Sequence, residues 1–286
     1  MTLRSVYNRI NNQMGYLIIL HPLPSITMMI LALLFSYPEE NNLTLSKWSI
    51  FGLTVLIANF IVGITNDILD QRWDSLNRRN KPLINGSAKL PVTKAILTIL
   101  TILFIGCLSI FDLFIISFII LGISFGLVYN IKLKRTIWSW IPFSISLPTL
   151  AIVARLLHGD LLTDLLWLYP LGVLFAPVIN ITNQMHDMDG SALSGEYSLI
   201  HFLGLKKGFI LSFVLLSTTN MVVIMLFIKE TTFYFYEYVT LLIFFLFLFL
   251  FSFKFKYYRF LFPLTVLIIT ISGLGIFYPN FNLKQG

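Results

Sequence analysis

Charge is scarce in this sequence: only 12% of its 286 residues are Asp, Glu, Lys or Arg, while 57% are hydrophobic and the mean hydropathy is +0.85. A soluble domain carries about 25% charged residues, so the side chains that would cover a water-facing surface are missing. The surface is expected to meet lipid. Cysteine is nearly absent as well. Cys107 is the single one and lies in an apolar run, which excludes an intrachain disulfide, a cysteine metal site and a CxxC redox pair. Histidine is scarce too, with four residues, of which His21 and His158 lie in or near apolar segments without an obvious Ser partner, so no Ser/His/Asp triad is evident. No GxxxxGK[ST] sequence is present, which disfavours nucleotide phosphates held in a P-loop. There is no internal repeat. The first apolar stretch is too long for a signal-peptide core and lacks a small-residue cleavage site, so it is expected to stay as a helix.

What is present is a succession of apolar segments, approximately 16 to 36, 48 to 65, 92 to 111, 113 to 129, 137 to 157, 161 to 182, 207 to 228, 233 to 252 and 260 to 278. Each is near the length of roughly 20 residues that spans a bilayer as a helix. The third and fourth are separated only by a tight turn near Asp112. These segments predict an all-α bundle of about nine transmembrane helices forming one domain over residues 1–286. The net charge of +7 does not point to nucleic acid, because the basic residues sit at segment ends instead of in one patch. Sixteen of the 20 fall on the side that includes the N-terminus, against Lys47, Arg155, Lys229 and Lys284 on the other. Positive-inside counting therefore predicts a cytoplasmic N-terminus and an external C-terminus.

On the predicted cytoplasmic side the carboxylates form two clusters. The first reads Asn66-Asp67-Ile68-Leu69-Asp70-Gln71-Arg72-Trp73-Asp74. Asp67, Asp70 and Asp74 stand at i, i+3 and i+7, on one face of a continuing helix. Like charges so close at an apolar boundary require a cation among them. Oxygen ligands without His or Cys suit Mg²⁺, which takes one or two carboxylates plus phosphate oxygens and waters. The plainer reading is a solvated helix end whose carboxylates pair with Arg72, Arg78 or Arg79. In the second cluster Asn180, Asn183 and Asp187 repeat the i, i+3, i+7 spacing; Asp189 joins that face only if the chain turns at Gly190, and His186 reads as a polar neighbour. Basic residues come between the clusters, with Arg78, Arg79 and Lys81 after the first cluster and Lys132, Lys134 and Arg135 after the fourth apolar segment. Carboxylates to hold Mg²⁺ and Lys or Arg to hold phosphate oxygens are the parts of a metal–diphosphate site.

Taken together, the clusters resemble the UbiA superfamily of intramembrane prenyltransferases. The family's NDxxDxxxD is matched at Asn66, Asp67, Asp70 and Asp74, and its NxxxRPLxxG is approximated by Asn77, Lys81, Pro82, Leu83 and Gly86, with Lys81 in place of Arg. The second motif, NxxRDxExDxxxG followed by a hydroxyl residue, Leu and a short helix ending in LG, is approximated by Asn183, Asp187, Gly195, Ser198, Leu199, Leu203 and Gly204. Here His186 replaces Arg, Asp189 replaces Glu and Ser191 stands at the final Asp. Tyr129 to Arg135 resembles the family's YxxxLKR stretch, and His21-Pro22 falls where many members have Arg-Pro.

The resemblance implies nine helices around a central cavity and a Mg²⁺-dependent transfer of an isoprenyl group from a polyprenyl diphosphate to an acceptor that no residue identifies. It implies Asp67, Asp70 and Asp187 as catalytic, and Asp67, Asp70, Asp74, Asp187 and Asp189 as metal ligands. Asn66, Asn183, Lys132, Arg79, Lys81 and Tyr129 would hold the diphosphate. A terpene cyclase of the same superfamily and a cation transporter are the alternatives, and a transporter predicts acids at mid-membrane and paired repeats that this sequence lacks.

Overall fold

A computed structural model describes residues 14–37, 43–77, 80–185, 197–227 and 234–277. Among them no strand occurs, and the all-α expectation is met. A helix lies on each of the nine apolar segments: α1 (Pro22–Phe35), α2 (Leu45–Leu69), α5 (Leu90–Leu108), α6 (Leu113–Val128), α7 (Ile141–Leu156), α8 (Leu168–Gln184), α9 (Leu199–Phe227), α10 (Tyr234–Lys254) and α11 (Leu261–Phe277). Two short helices, α3 (Gln71–Asn77) and α4 (Pro82–Asn85), follow α2. Four of the apolar stretches, Leu45–Leu69, Leu90–Leu108, Leu113–Leu133 and Leu199–Met225, are individually long and apolar enough to cross a membrane. In the windows of Leu90–Leu108 and Leu113–Leu133 only 11% of residues are buried. Such helices present apolar side chains outward nearly all round, as lipid contact requires.

The chain divides into two compact units, residues 1–132 with 149–164, and residues 133–148 with 165–286. In the first unit, Ile57 and Ile61 of α2 pack with Phe104 and Leu108 of α5 and with Ile116 and Ile119 of α6. A second cluster joins Ile19, Ile64 and Ala88 to Leu83 and Ile96. Local chemistry sets the ends of these helices. Thr44 accepts from Lys47 N to cap α2, and Asp112 accepts from Ile115 N at 2.9 Å, so the tight turn before α6 is also its N-cap.

The second unit is built on Phe175, Val178 and Ile181 of α8 against Phe209 and Leu216 of α9, Leu242 and Phe249 of α10, and Leu261 and Ile268 of α11. Phe209 stacks on Phe249 and Phe253. Within this apolar core Ser272 Oγ of α11 lies 2.7 Å from Asn220 Oδ1 of α9, both buried. Gly204 has φ 74°, ψ 162° and divides α9 into a short first helix and a long second one. That left-handed break, for which glycine is suited, supplies the short helix ending in Leu203-Gly204 that the second motif led us to expect.

Candidate active site

The acidic motif sits where α2 runs out of apolar residues. Asp70 closes α2 with φ −84°, ψ −1°, and α3 begins directly after it. The break is shallow, because Asp70 N still bonds Asn66 O at 2.9 Å and Asp74 N bonds Asp70 O at 2.8 Å. The helical register therefore carries through. Asp67, Asp70 and Asp74 are 3%, 4% and 2% exposed, which is inconsistent with a solvated helix end. Buried carboxylates need charged or hydrogen-bonding partners, and the chain supplies one from its own next turn. Lys81 Nζ lies 2.5 Å from Asp67 Oδ1 and 3.6 Å from Asp74 Oδ2. Among the described residues Lys81 thus brings a cation to Asp67 and Asp74, while Arg72 is exposed and Arg78 and Arg79 lie outside the described residues.

Three features return Lys81 to the acidic helix. Lys81 is the residue before α4, with φ −64°, ψ 143°, and Pro82 starts that helix with the φ it favours. Leu83 packs into the cluster formed by Ile19, Ile64 and Ala88. Gly86 then ends α4 at φ 80°, ψ 4°, a left-handed C-cap, and Ala88 N bonds back to Pro82 O at 3.0 Å. The KPLxxG stretch is a folded clip that holds the backbone at this lysine.

The other oxygen of Asp67 faces His21. His21 Nε2 is 3.2 Å from Asp67 Oδ2, buried, and without the alignment of a hydrogen bond. His21 holds a left-handed backbone, φ 49° and ψ 57°, immediately before Pro22. Such a conformation is costly for a residue with a Cβ and is kept where surrounding structure imposes it. Its ring lies against Gly63 so closely that a Cβ there would be 2.9 Å from His21 Cδ2. Sequence reading singled out the His-Pro pair but not this contact, which joins α1 to α2 through a glycine with no periodic signature.

Tyr129 and Lys132 lie in a single π turn, Tyr129–Leu133, that ends α6. Tyr129 is half-buried and Lys132 exposed. Within that turn Asn130 Nδ2 donates to Val62 O at 2.8 Å, one helical turn before Asn66. Gly126, four residues earlier on the same face, lets Val62 approach: a Cβ there would be 3.2 Å from Val62 Cγ2. A lone Asn after an apolar helix has no pattern around it that would mark Asn130 as a tether. Replacing it by Ala should lower stability by about 1 kcal/mol, the usual loss for one hydrogen bond. Unfolding midpoints in detergent check this, and an unchanged midpoint would mean that the tether is not held.

In the second unit α8 carries the start of the second motif. Asn180 is 1% exposed and its Oδ1 accepts from Ser139 Oγ at 2.9 Å. Asn180 Nδ2 and, one turn on, Gln184 Oε1 are buried without a hydrogen-bond partner among the described residues. Orphaned polar atoms of this kind are rare and mark places where a missing group is expected. Asn183 is half-buried on the same helix. Asp187 and Asp189, with His186 and Ser191, lie outside the described residues, as does Gly195. Ser198 is buried and its Oγ lies 2.7 Å from His201 Nδ1 at the start of the short Leu203-Gly204 helix. Lys134 and Arg135 are half-buried where Lys132 is exposed, and Arg135 O accepts from Tyr197 N at 3.3 Å. Among the described residues no three carboxylate, imidazole or thiol groups form a metal-holding group. The donor set still fits Mg²⁺, which is satisfied by one or two carboxylates when phosphate oxygens and water complete its shell.

Apolar helices, one of which ends on a buried acidic motif, define an integral membrane protein with a cluster of buried carboxylates at a helix terminus. The family model described as the UbiA prenyltransferase family matches residues 25–279, and the chain belongs to that family. Its fold is similar to that of a digeranylgeranylglyceryl phosphate synthase, with 18% identity, 92% of this chain and 99% of that one covered, and a TM-score of 0.67. It is also similar to a UbiA homologue from Aeropyrum pernix K1, at 18% identity over 90% and 96% of the chains with a TM-score of 0.68. A UbiA homologue from Archaeoglobus fulgidus bound to DMAPP and Mg²⁺ matches at 14% identity over 92% and 99%, with a TM-score of 0.70. No curated protein matches the chain significantly.

Proposed function

We propose that this chain transfers an isoprenyl group from a polyprenyl diphosphate to an acceptor within the membrane, with Mg²⁺ as cofactor. The observation that carries the reading is the NDxxDxxxD helix end, three buried carboxylates served by a lysine, in a chain of the UbiA prenyltransferase family. The A. fulgidus homologue bound to DMAPP and Mg²⁺ supports donor and cofactor. Both compact units would act as one prenyltransferase domain, since the family model runs through them. The charge bias supports an N-terminus and both motifs on the cytoplasmic side and a C-terminus outside.

Asp67, Asp70 and Asp74 would hold metal from the first motif, and Asp187 with Asp189 from the second. Bound there, Mg²⁺ supplies charge neutralisation for a leaving diphosphate. The chain's own groups do the rest. Asn66 and Asn183 would orient phosphate oxygens by their amides, and Arg79, Lys81 and Lys132 would donate charge-assisted hydrogen bonds as negative charge builds on the leaving group. Tyr129 would donate its hydroxyl to the same oxygens. The allylic C–O bond breaks with its electron pair departing on the diphosphate, a bond forms from the acceptor nucleophile to the allylic carbon, and the acceptor loses a proton.

The test is diphosphate release by purified protein in lipid, given geranyl, farnesyl and geranylgeranyl diphosphates with and without Mg²⁺, followed by mass analysis of the organic product. The expected result is metal-dependent release that requires a candidate acceptor and yields its prenylated form. Release without acceptor, giving a cyclic hydrocarbon or its alcohol, would replace transfer by cyclisation.

A further inference from the structure

We propose that Lys81 is a placeholder cation that couples metal binding to diphosphate binding: its ammonium holds Asp67 and Asp74 until a diphosphate arrives, then passes to the phosphate oxygens and leaves the carboxylates to the metal. This rests on the prenyl-diphosphate reading of the site and adds an order to it. Lys81 Nζ engages the first and the last aspartate of the motif, at 2.5 Å from Asp67 Oδ1 and 3.6 Å from Asp74 Oδ2. The second oxygen of Asp67 faces His21 Nε2 at 3.2 Å, and the carboxylate is 3% exposed. Both oxygens of Asp67 therefore face nitrogen groups of the protein.

A divalent ion and an ammonium drawn to one carboxylate oxygen repel each other strongly where the surroundings are poorly solvated. Metal alone must displace Lys81 into solvent, whereas a metal–diphosphate pair offers the ammonium new anionic oxygens. The displacement needs no backbone movement. Pro82, the Gly86 cap and the Ala88 N to Pro82 O bond fix the main chain at Lys81, and Leu83 seats the clip in the core. Only the four-carbon stem swings. A compact ammonium can exchange partners this way, while the rigid fork of a guanidinium favours one bidentate arrangement. Because binding couplings are reciprocal, diphosphate tightens metal by the same factor that metal tightens diphosphate.

The experiment measures Mn²⁺ bound to the purified full chain in lipid nanodiscs by electron paramagnetic resonance, alone and with inorganic pyrophosphate. Free Mn²⁺ and the soluble Mn²⁺–pyrophosphate complex are quantified in parallel. In the wild type, pyrophosphate should tighten Mn²⁺ at least about tenfold, within the usual range of couplings. Lys81→Gln should bind Mn²⁺ alone about tenfold tighter than wild type and gain less than about twofold from pyrophosphate. Lys81→Arg, which keeps the charge, should retain part of the coupling and serves if the Gln variant does not fold. A Lys81→Gln protein with wild-type coupling, or with no tighter binding of Mn²⁺ alone, overturns the placeholder role while leaving the site assignment standing. Wild-type protein that binds no Mn²⁺ even with pyrophosphate overturns the metal–diphosphate reading itself, and this proposal with it.

Discussion

Asp67→Asn should abolish metal-dependent diphosphate release, lowering the rate by at least about 10³-fold, the scale on which lost transition-state charge stabilisation is felt. Asn keeps the shape of the side chain and one carbonyl oxygen but removes the negative charge to which Lys81 is drawn at 2.5 Å. The motif would lose the carboxylate that both Lys81 and His21 face, and the remaining carboxylates, Asp70 and Asp74, cannot take over Asp67's place beside Asn66. The fold should survive. Two buried like charges stay near each other instead of three, Asp74 still attracts Lys81 from 3.6 Å, and the helix bond from Asp70 N to Asn66 O involves only backbone. The measurement is Mg²⁺-dependent release from geranylgeranyl diphosphate beside the unfolding midpoint in detergent. Activity within tenfold of wild type would remove Asp67 from the metal-binding set.

The largest effect on stability is expected in the second unit, at Gly172. A Cβ there would stand 2.3 Å from Pro148 Cγ and 2.7 Å from Ser144 O, where α8 crosses α7 within the second unit. Neither neighbour yields cheaply, since one is a proline ring and the other is backbone. Gly172→Val should therefore cost about 3 kcal/mol or more through overpacking and lower the unfolding midpoint accordingly. Gly106 provides the contrast, having nothing within 4 Å of its Cβ position. Gly106→Ala should leave stability unchanged or raise it by about 0.5–1 kcal/mol through helix propensity. Equal midpoints for the two variants would mean that α7 and α8 do not pack at Gly172.

The parts of this protein that were legible in its sequence are those that repeat along one element. Apolar runs placed the helices because a membrane span is continuous, and i, i+3, i+7 spacing placed Asp67, Asp70 and Asp74 together because helical period is local. The need for a cation among them was also readable from charge alone. Which cation was not: Lys81 reaches the aspartates only because Pro82, Leu83 and Gly86 bend the chain back, and that is a tertiary fact. His21 stands out in the sequence as a departure from the family's Arg-Pro, but its packing on Gly63 joins two helices distant in sequence. Asn130 and Ser139 likewise act across helices, on Val62 O and Asn180, and neither has a pattern around it. Lys132 is exposed and Lys134 half-buried, a distinction that residue types alone do not carry. The nine-span expectation rested on hydropathy; four stretches satisfy length and composition individually, while helices such as α8, broken by polar residues and Pro177, depend on their neighbours.

The contact between Ser272 and Asn220 bears on a different problem, that of sliding. Two apolar helices in lipid gain little from one alignment over another, because displaced leucines are as well solvated by acyl chains as by each other. A shift of one turn, about 5.4 Å, would keep most of the greasy surface of α9 and α11 covered. It would, however, leave Asn220 Oδ1 stranded in hydrocarbon, a loss of a kind that dispersion cannot offset. One hydroxyl and one amide thus give these two helices a fixed register relative to one another, set in the long second half of α9 beyond the Gly204 bend.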